Sequence, residues 1–100
     1  MSQEEIISKV REAVMSDPNE SYIQSVYLFG SFLHGDAKKD SDVDLLYETR
    51  KTMSLFEIGG MRHRLEVKLG RKVDFVPRGR IINQLKEKIL PEAVKVYERE

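Results

Sequence analysis

The spacing of apolar residues divides the chain into alternating helical and extended segments. Over residues 2–15, Ile6, Ile7, Val10 and Val14 recur at helical intervals on one face, with Ser2 as a cap and Glu4 and Glu5 at the positive end. Asp17-Pro18-Asn19 ends that pattern. Residues 25–29 form a short β-branched and aromatic run, Val26-Tyr27-Leu28-Phe29, closing at Gly30, which reads as a buried strand. Residues 35–41 are polar and charged, a loop. A second strand follows over 43–47, where Val43, Leu45 and Tyr47 alternate onto one face. Residues 54–69 return to helical spacing, with Leu55, Ile58, Met61 or Arg62, Leu65 and Leu69 near one stripe and Gly70 as the stop. Gly59-Gly60 lies inside this helix, where each glycine costs about 1 kcal/mol relative to alanine. A third strand spans 72–76 and closes at Pro77, and 81–89 is helical up to the interruption at Pro91. The tail, 93–97, fits either a last helical turn or an edge strand, with Val94 and Val96 favouring the strand. The order helix, strand, strand, helix, strand, helix predicts an α/β (α+β) fold, a small mixed sheet flanked by helices.

Composition narrows the class. One hundred residues make a single domain, 1–100, near the lower end of what buries a core unaided. Lys plus Arg equals Asp plus Glu at 17 each, so no overall basic field points to nucleic acid. No cysteine is present, which excludes disulfides and thiolate metal sites and suits a reducing compartment. The start of the chain mixes acids, bases and isolated aliphatics, unlike a signal peptide, and no apolar run approaches a membrane span. The expected setting is the cytoplasm. If the chain is a transferase, its size leaves little room for an acceptor pocket, so the acceptor is expected to be large or a partner to complete the site.

The chemistry concentrates between residues 30 and 74. Asp42 and Asp44 stand at i and i+2 of a strand and project from one face. Two such carboxylates repel unless a cation lies between them. Asp74 occupies the matching depth of the next strand. If the two strands are neighbours, three acids meet, and such a set supports two magnesium ions placed for in-line phosphoryl displacement. Gly30 ends the first strand, where the missing side chain lets backbone approach an anion, and Ser31 opens a turn whose N–H groups and hydroxyl can face phosphates. Taken singly, each feature has an ordinary structural reading: Asp-x-Asp as a turn or cap, Gly-Ser as a turn, Asp74 as a partner for Arg71 or Arg78. Their joint placement at strand ends points to nucleotide transfer.

Tyr27-Leu28-Phe29-Gly30-Ser31, Gly35-Asp36-Ala37 and Asp40-Ser41-Asp42-Val43-Asp44-Leu45-Leu46 together resemble the signature of the minimal nucleotidyltransferases of the DNA polymerase beta-like superfamily: Gly-Ser, ten residues, Asp-x-Asp. The likeness runs from about Ile23 to Phe75. It implies that Asp42, Asp44 and Asp74 bind Mg2+ (two ions), that Gly30 and Ser31 contact the triphosphate of ATP, and that Asp74 helps deprotonate the acceptor hydroxyl. It also implies an antitoxin that transfers AMP to a tyrosine of an HEPN-domain ribonuclease toxin. Two alternatives stay open: a non-catalytic, nucleotide-binding antitoxin that neutralises its partner by covering it, and a small-molecule nucleotidyltransferase. One departure from the family pattern is His34, where arginine or lysine is common before the loop glycine. Arg62-His63-Arg64 with Lys68 places positive charge on the second helix, as a solvated face or as a surface for triphosphate or an acidic partner. Phe32, Leu33, Phe75, Ile81, Ile82 and Leu85 read as packing, and Tyr97 as packing or a partner contact.

Overall fold

A computed structural model describes residues 2–30, 32, 41–80 and 92–99. Ser31, Leu33, His34, the loop up to Asp40, and the expected helix over 81–89 lie outside the described residues.

Helix α1, Gln3–Met15, opens on a capping box: the Ser2 hydroxyl accepts from the Glu5 N–H while the Glu5 carboxylate accepts from the Ser2 N–H. Ile6, Val10, Ala13 and Val14 are buried, the stripe that the spacing predicts plus one alanine. A single 3₁₀ turn, Glu20–Tyr22, leads into strand β1, Ile23–Phe29. Strand β2, Val43–Thr49, pairs antiparallel with β1 and is two residues longer than its alternation suggests. Helix α2, Leu55–Leu69, repeats the capping box with Ser54 and Glu57 and stops at Gly70, which is left-handed at φ +67 and donates to the Glu66 carbonyl. Strand β3, Val73–Pro77, runs parallel to β2, and β4, Val94–Glu98, pairs antiparallel with β1. The sheet order is β3-β2-β1-β4, so β4 is an edge strand and the tail resolves in favour of the extended reading.

Both helices cover the same face of the sheet, α1 toward β4 and α2 toward β3. Val26, Leu28, Val43, Leu45, Val73, Phe75 and Val96 meet the helix stripes there, with Phe32 and Tyr97 in the same core. The Tyr47 and Phe75 rings stack with centroids 4.2 Å apart, joining β2 to β3. One expected core position fails: Leu55 is 79% exposed, and its neighbour Phe56 is 92% exposed. The buried stripe of α2 begins a turn later, with Ile58 partly covered and Met61, Leu65 and Leu69 buried, while Met53 fills the space ahead of the helix.

A buried ion pair fixes the two helices to each other. Asp17, read from sequence only as part of a helix-breaking triplet, has a side chain just 1% exposed. Arg64 of α2 grips it with two bonds, Nε to Oδ1 at 2.7 Å and a terminal nitrogen to Oδ2 at 3.0 Å. The Asn19 N–H adds a third at 2.9 Å. Arg64 therefore leaves the solvated cationic face expected of it. Lys68 stays exposed, as a solvated face requires, and donates to the Ser16 hydroxyl.

Candidate active site

Strand register brings the acids together. Pairing of β2 with β3 sets Asp44 directly beside Asp74, and pairing of β1 with β2 sets Phe29 opposite Asp44. Residues side by side on neighbouring strands point the same way, so Asp44 and Asp74 share the face opposite the two helices. Asp42 lies two residues before Asp44 and one before β2 begins, with Val43 between them turned fully into the core. Asp42 and Asp74 are exposed or half-exposed at the surface, and Asp44 is half-buried. The β2 start is tied to β3 by the Val43 N–H donating to the Lys72 carbonyl at 2.8 Å. Because β3 is an edge strand, Asp74 stands at the rim of this face. Among the described residues no three carboxylate or imidazole groups converge as a finished metal cage. What the backbone fixes is the Asp44–Asp74 pair, with Asp42 one strand step away.

Gly30 also has a structural part, set by its backbone and its neighbour on β2. Its φ is +80, a left-handed conformation that ends β1. A Cβ there would lie 2.1 Å from Asp44 Oδ2 and 2.9 Å from its Cγ. The anion for which this glycine makes room is the carboxylate of Asp44 itself. Glycine and second acid thus form one packed unit at the head of β1 and β2. Ser31 lies outside the described residues, but Phe32 directly after it is in the core, as expected.

Arg71, considered from sequence only as a partner for Asp74, reaches toward both ends of the motif. Its guanidinium lies 5.2 Å from the Phe32 ring centroid and donates to the Ser41 carbonyl at 3.3 Å. Phe32 follows Gly30-Ser31, and Ser41 immediately precedes Asp42, so one cation from the approach to β3 bridges both sides of the motif. No sequence signal separates this arginine from any other surface cation. The second suggested partner for Asp74, Arg78, pairs with Glu48 at 3.1 Å and lies 5.2 Å from the Tyr27 ring centroid. The Ser25 hydroxyl donates to Glu48 at 2.7 Å; that bond first, and Arg78 against the opposing effect of burial, hold the Glu48 carboxyl below the ordinary 4.5. Burial also raises the Tyr47 phenol above 10.0. Tyr97, left undecided by the sequence, packs on β4 and donates its hydroxyl to Glu20. Among the described residues no helix is long and apolar enough to cross a membrane.

The arrangement is two carboxylates in register on parallel strands, a third one step away, and a glycine turn pressed against the central one. Comparison with known proteins places the chain in a family. The sequence matches the profile of the nucleotidyltransferase domain over residues 7–96. It is 34% identical over 74 residues to the protein adenylyltransferase MntA of Thermococcus cleftensis, covering 74% of this chain and 75% of that protein. A solved structure provisionally described as a minimal nucleotidyltransferase superposes with a TM-score of 0.76 at 33% identity, over 94% of this chain and 95% of the other. A complex of tri-AMPylated HEPN toxin from Shewanella oneidensis with its MNT antitoxin shares the fold, at a TM-score of 0.69 and 18% identity over 97% of this chain and 73% of the matched one. With the profile spanning most of its length, this chain belongs to the nucleotidyltransferase domain family.

Proposed function

We propose that this chain transfers AMP from ATP to a tyrosine hydroxyl of a partner protein, an HEPN-type ribonuclease toxin, and so acts as that toxin's antitoxin. The observation that carries the reading is the Asp44–Asp74 register with Gly30 against Asp44. The names of the similar proteins support the acceptor class.

The donor set is all carboxylate oxygen on adjacent strands, which suits a hard divalent cation such as Mg2+. Asp42, Asp44 and Asp74 would hold it, and bound there it supplies charge neutralisation for the triphosphate and the departing pyrophosphate. Asp44, held in place by the Gly30 turn, fixes the centre of the set. Gly30 and Ser31 would contact the phosphates. Asp74 stands on the edge strand, where a large acceptor can approach, and takes the proton of the tyrosine hydroxyl. The hydroxyl oxygen then bonds to the α-phosphorus, the bond from that phosphorus to the bridging α,β-oxygen breaks, and pyrophosphate leaves with the electron pair.

The test is α-labelled ATP and magnesium added to extract of the source organism, with wild type beside the Asp42→Asn, Asp44→Asn double variant. Label on a discrete protein band with wild type alone is the expected result and identifies the partner. Label confined to small molecules overturns the acceptor class. Neutralisation of the partner by the double variant at matched expression overturns catalysis in favour of a covering antitoxin.

A further inference from the structure

Around the β3 edge from the acids, the last turns of α2 and the approach to β3 enclose a groove of about 630 Å³. Arg62, His63, Arg71 and Lys72 line it with Glu66 and Val67. Besides Arg71, which is engaged with Phe32 and the Ser41 carbonyl, two positive charges, Arg62 and Lys72, stand beside one carboxylate, in a chain whose charges balance overall. That carboxylate is already engaged, accepting from the Val73 N–H at 3.0 Å.

Arg64, Lys68, Arg78, Lys95 and Arg99 are each satisfied by a side chain of this chain. Arg62 and Lys72 are exposed and have no ion-pair partner among the described residues. Lys9, Arg50, Lys51 and Arg80 also have no ion pair among the described residues, but none of them lines this groove. Compensation of the α2 dipole does not account for Arg62, which lies two turns before the helix end, where that field has faded. Lys72, in contrast, sits two residues before Asp74, about 7 Å along an extended backbone. Through Lys72 the groove borders the strand that carries Asp74.

None of the three candidate acids lines this groove, so it extends the surface on which a macromolecule can rest beyond the acids. The lining also selects among macromolecules. Among the described residues no Phe, Tyr or Trp lines the groove, which leaves only the His63 ring to stack a base, whereas Val67, 68% exposed, offers an apolar contact between the cations. This suits a protein surface of mixed acidic and apolar character better than a phosphate backbone.

We infer that this groove docks an acidic segment of the acceptor protein and so presents a nearby tyrosine at Asp74. The inference rests on the protein-acceptor reading above and adds to it the charge of the sequence around the modified residue. Arg62 and Lys72 make the docking contacts, and Arg71 is shared with the motif.

The test uses two synthetic copolymers, glutamate–tyrosine and lysine–tyrosine, as probes, with wild type and the Arg62→Glu, Lys72→Glu double variant. Binding of fluorescein-labelled copolymer is measured by anisotropy across a salt series, and transfer of label from ATP is measured in parallel. Wild type should bind the acidic copolymer at least tenfold more tightly than the basic one, with a marked salt dependence. The variant should lose about tenfold in that binding while its thermal midpoint and its affinity for a fluorescent ATP analogue stay within error. The milder Arg62→Gln, Lys72→Gln pair should lose less, which keeps the test intact if charge reversal impairs folding. Equal binding of both copolymers, or an unaffected variant, overturns the inference. So does tighter binding of a labelled oligouridine that disappears in the same variant, which assigns the groove to nucleic acid. Selective binding without any labelled tyrosine supports the groove and counts against the transfer reading alone.

Discussion

Replacing Gly30 by alanine should damage activity far more than stability, and two other glycines of the chain allow the effect to be resolved. Gly70 is left-handed at φ +67, and a methyl group added to it would meet nothing within 4 Å, so Gly70→Ala carries the backbone penalty alone, about 1–2 kcal/mol. Gly59 lies inside α2 with equally open surroundings and ordinary helical geometry. Gly59→Ala should therefore stabilise the fold by about 0.5–1 kcal/mol. Gly30→Ala combines the left-handed penalty, at φ +80, with a contact of 2.1 Å to Asp44 Oδ2 and 2.9 Å to Cγ. Rotation of the half-buried Asp44 carboxylate relieves the first two contacts but not the 3.2 Å contact with its Cβ, so the stability loss should be about 2–3 kcal/mol. That rotation removes the carboxylate from beside Asp74. A misplacement of about 1 Å in a catalytic group costs on the order of 10²-fold in rate. Urea unfolding of the three variants, with transfer of labelled AMP measured well below their unfolding midpoints, separates the two effects. If Gly30→Ala keeps transfer within twofold of wild type, Asp44 does not need the place that Gly30 leaves for it, and the reasoning fails.

Two further substitutions test the supports of the site. Arg64→Met leaves the nearly inaccessible Asp17 carboxylate with only the Asn19 N–H, and the partial exposure of Arg64 moderates the cost to about 2 kcal/mol. In a chain of this size that lowers the thermal midpoint by roughly 10 °C; an unchanged midpoint by calorimetry would show that water replaces the arginine. Arg71→Ala removes the bridge between Phe32 and Ser41 and should raise the KM for ATP about tenfold, with Arg71→Lys restoring little because an ammonium lacks the flat face that lies on the ring. Equal kcat/KM values for wild type and both variants would reduce Arg71 to a surface residue.

What was legible in the sequence has a common physical basis. Helix α1 and helix α2 were readable because their signals are local: Ser2 with Glu5, Gly70 as a stop, and apolar side chains repeating within a turn or two. The face of β2 that carries Asp44 was readable for the same reason, since sidedness on a strand depends only on parity. The residues that were misjudged act across distance in the chain. Asp17 looked like a helix breaker because its partner Arg64 is 47 positions away. The contact of Gly30 with Asp44 was likewise not legible, because the β1–β2 register that puts Asp44 against it is not encoded in either strand alone. The tail was ambiguous because Val96 and the next residue, Tyr97, are both buried, at an irregularity in the β1–β4 pairing that breaks the alternation on which strand recognition depends.

The level of Asp74 shows how element lengths can carry information that register alone hides. Strand β2 has 7 residues and rises about 23 Å, while α2 has 15 residues and rises about 22 Å. The helix therefore returns the chain over nearly the full length of the strand before β3 begins. Val73 starts β3 opposite Val43, which starts β2, and the acid one residue after each start is brought to the same depth. The third carboxylate is level with the second because the crossover is as long as the strand it spans, and Gly70 ends the helix where that match is reached. The two acids are thus aligned by helix length and capping, far from the acids themselves.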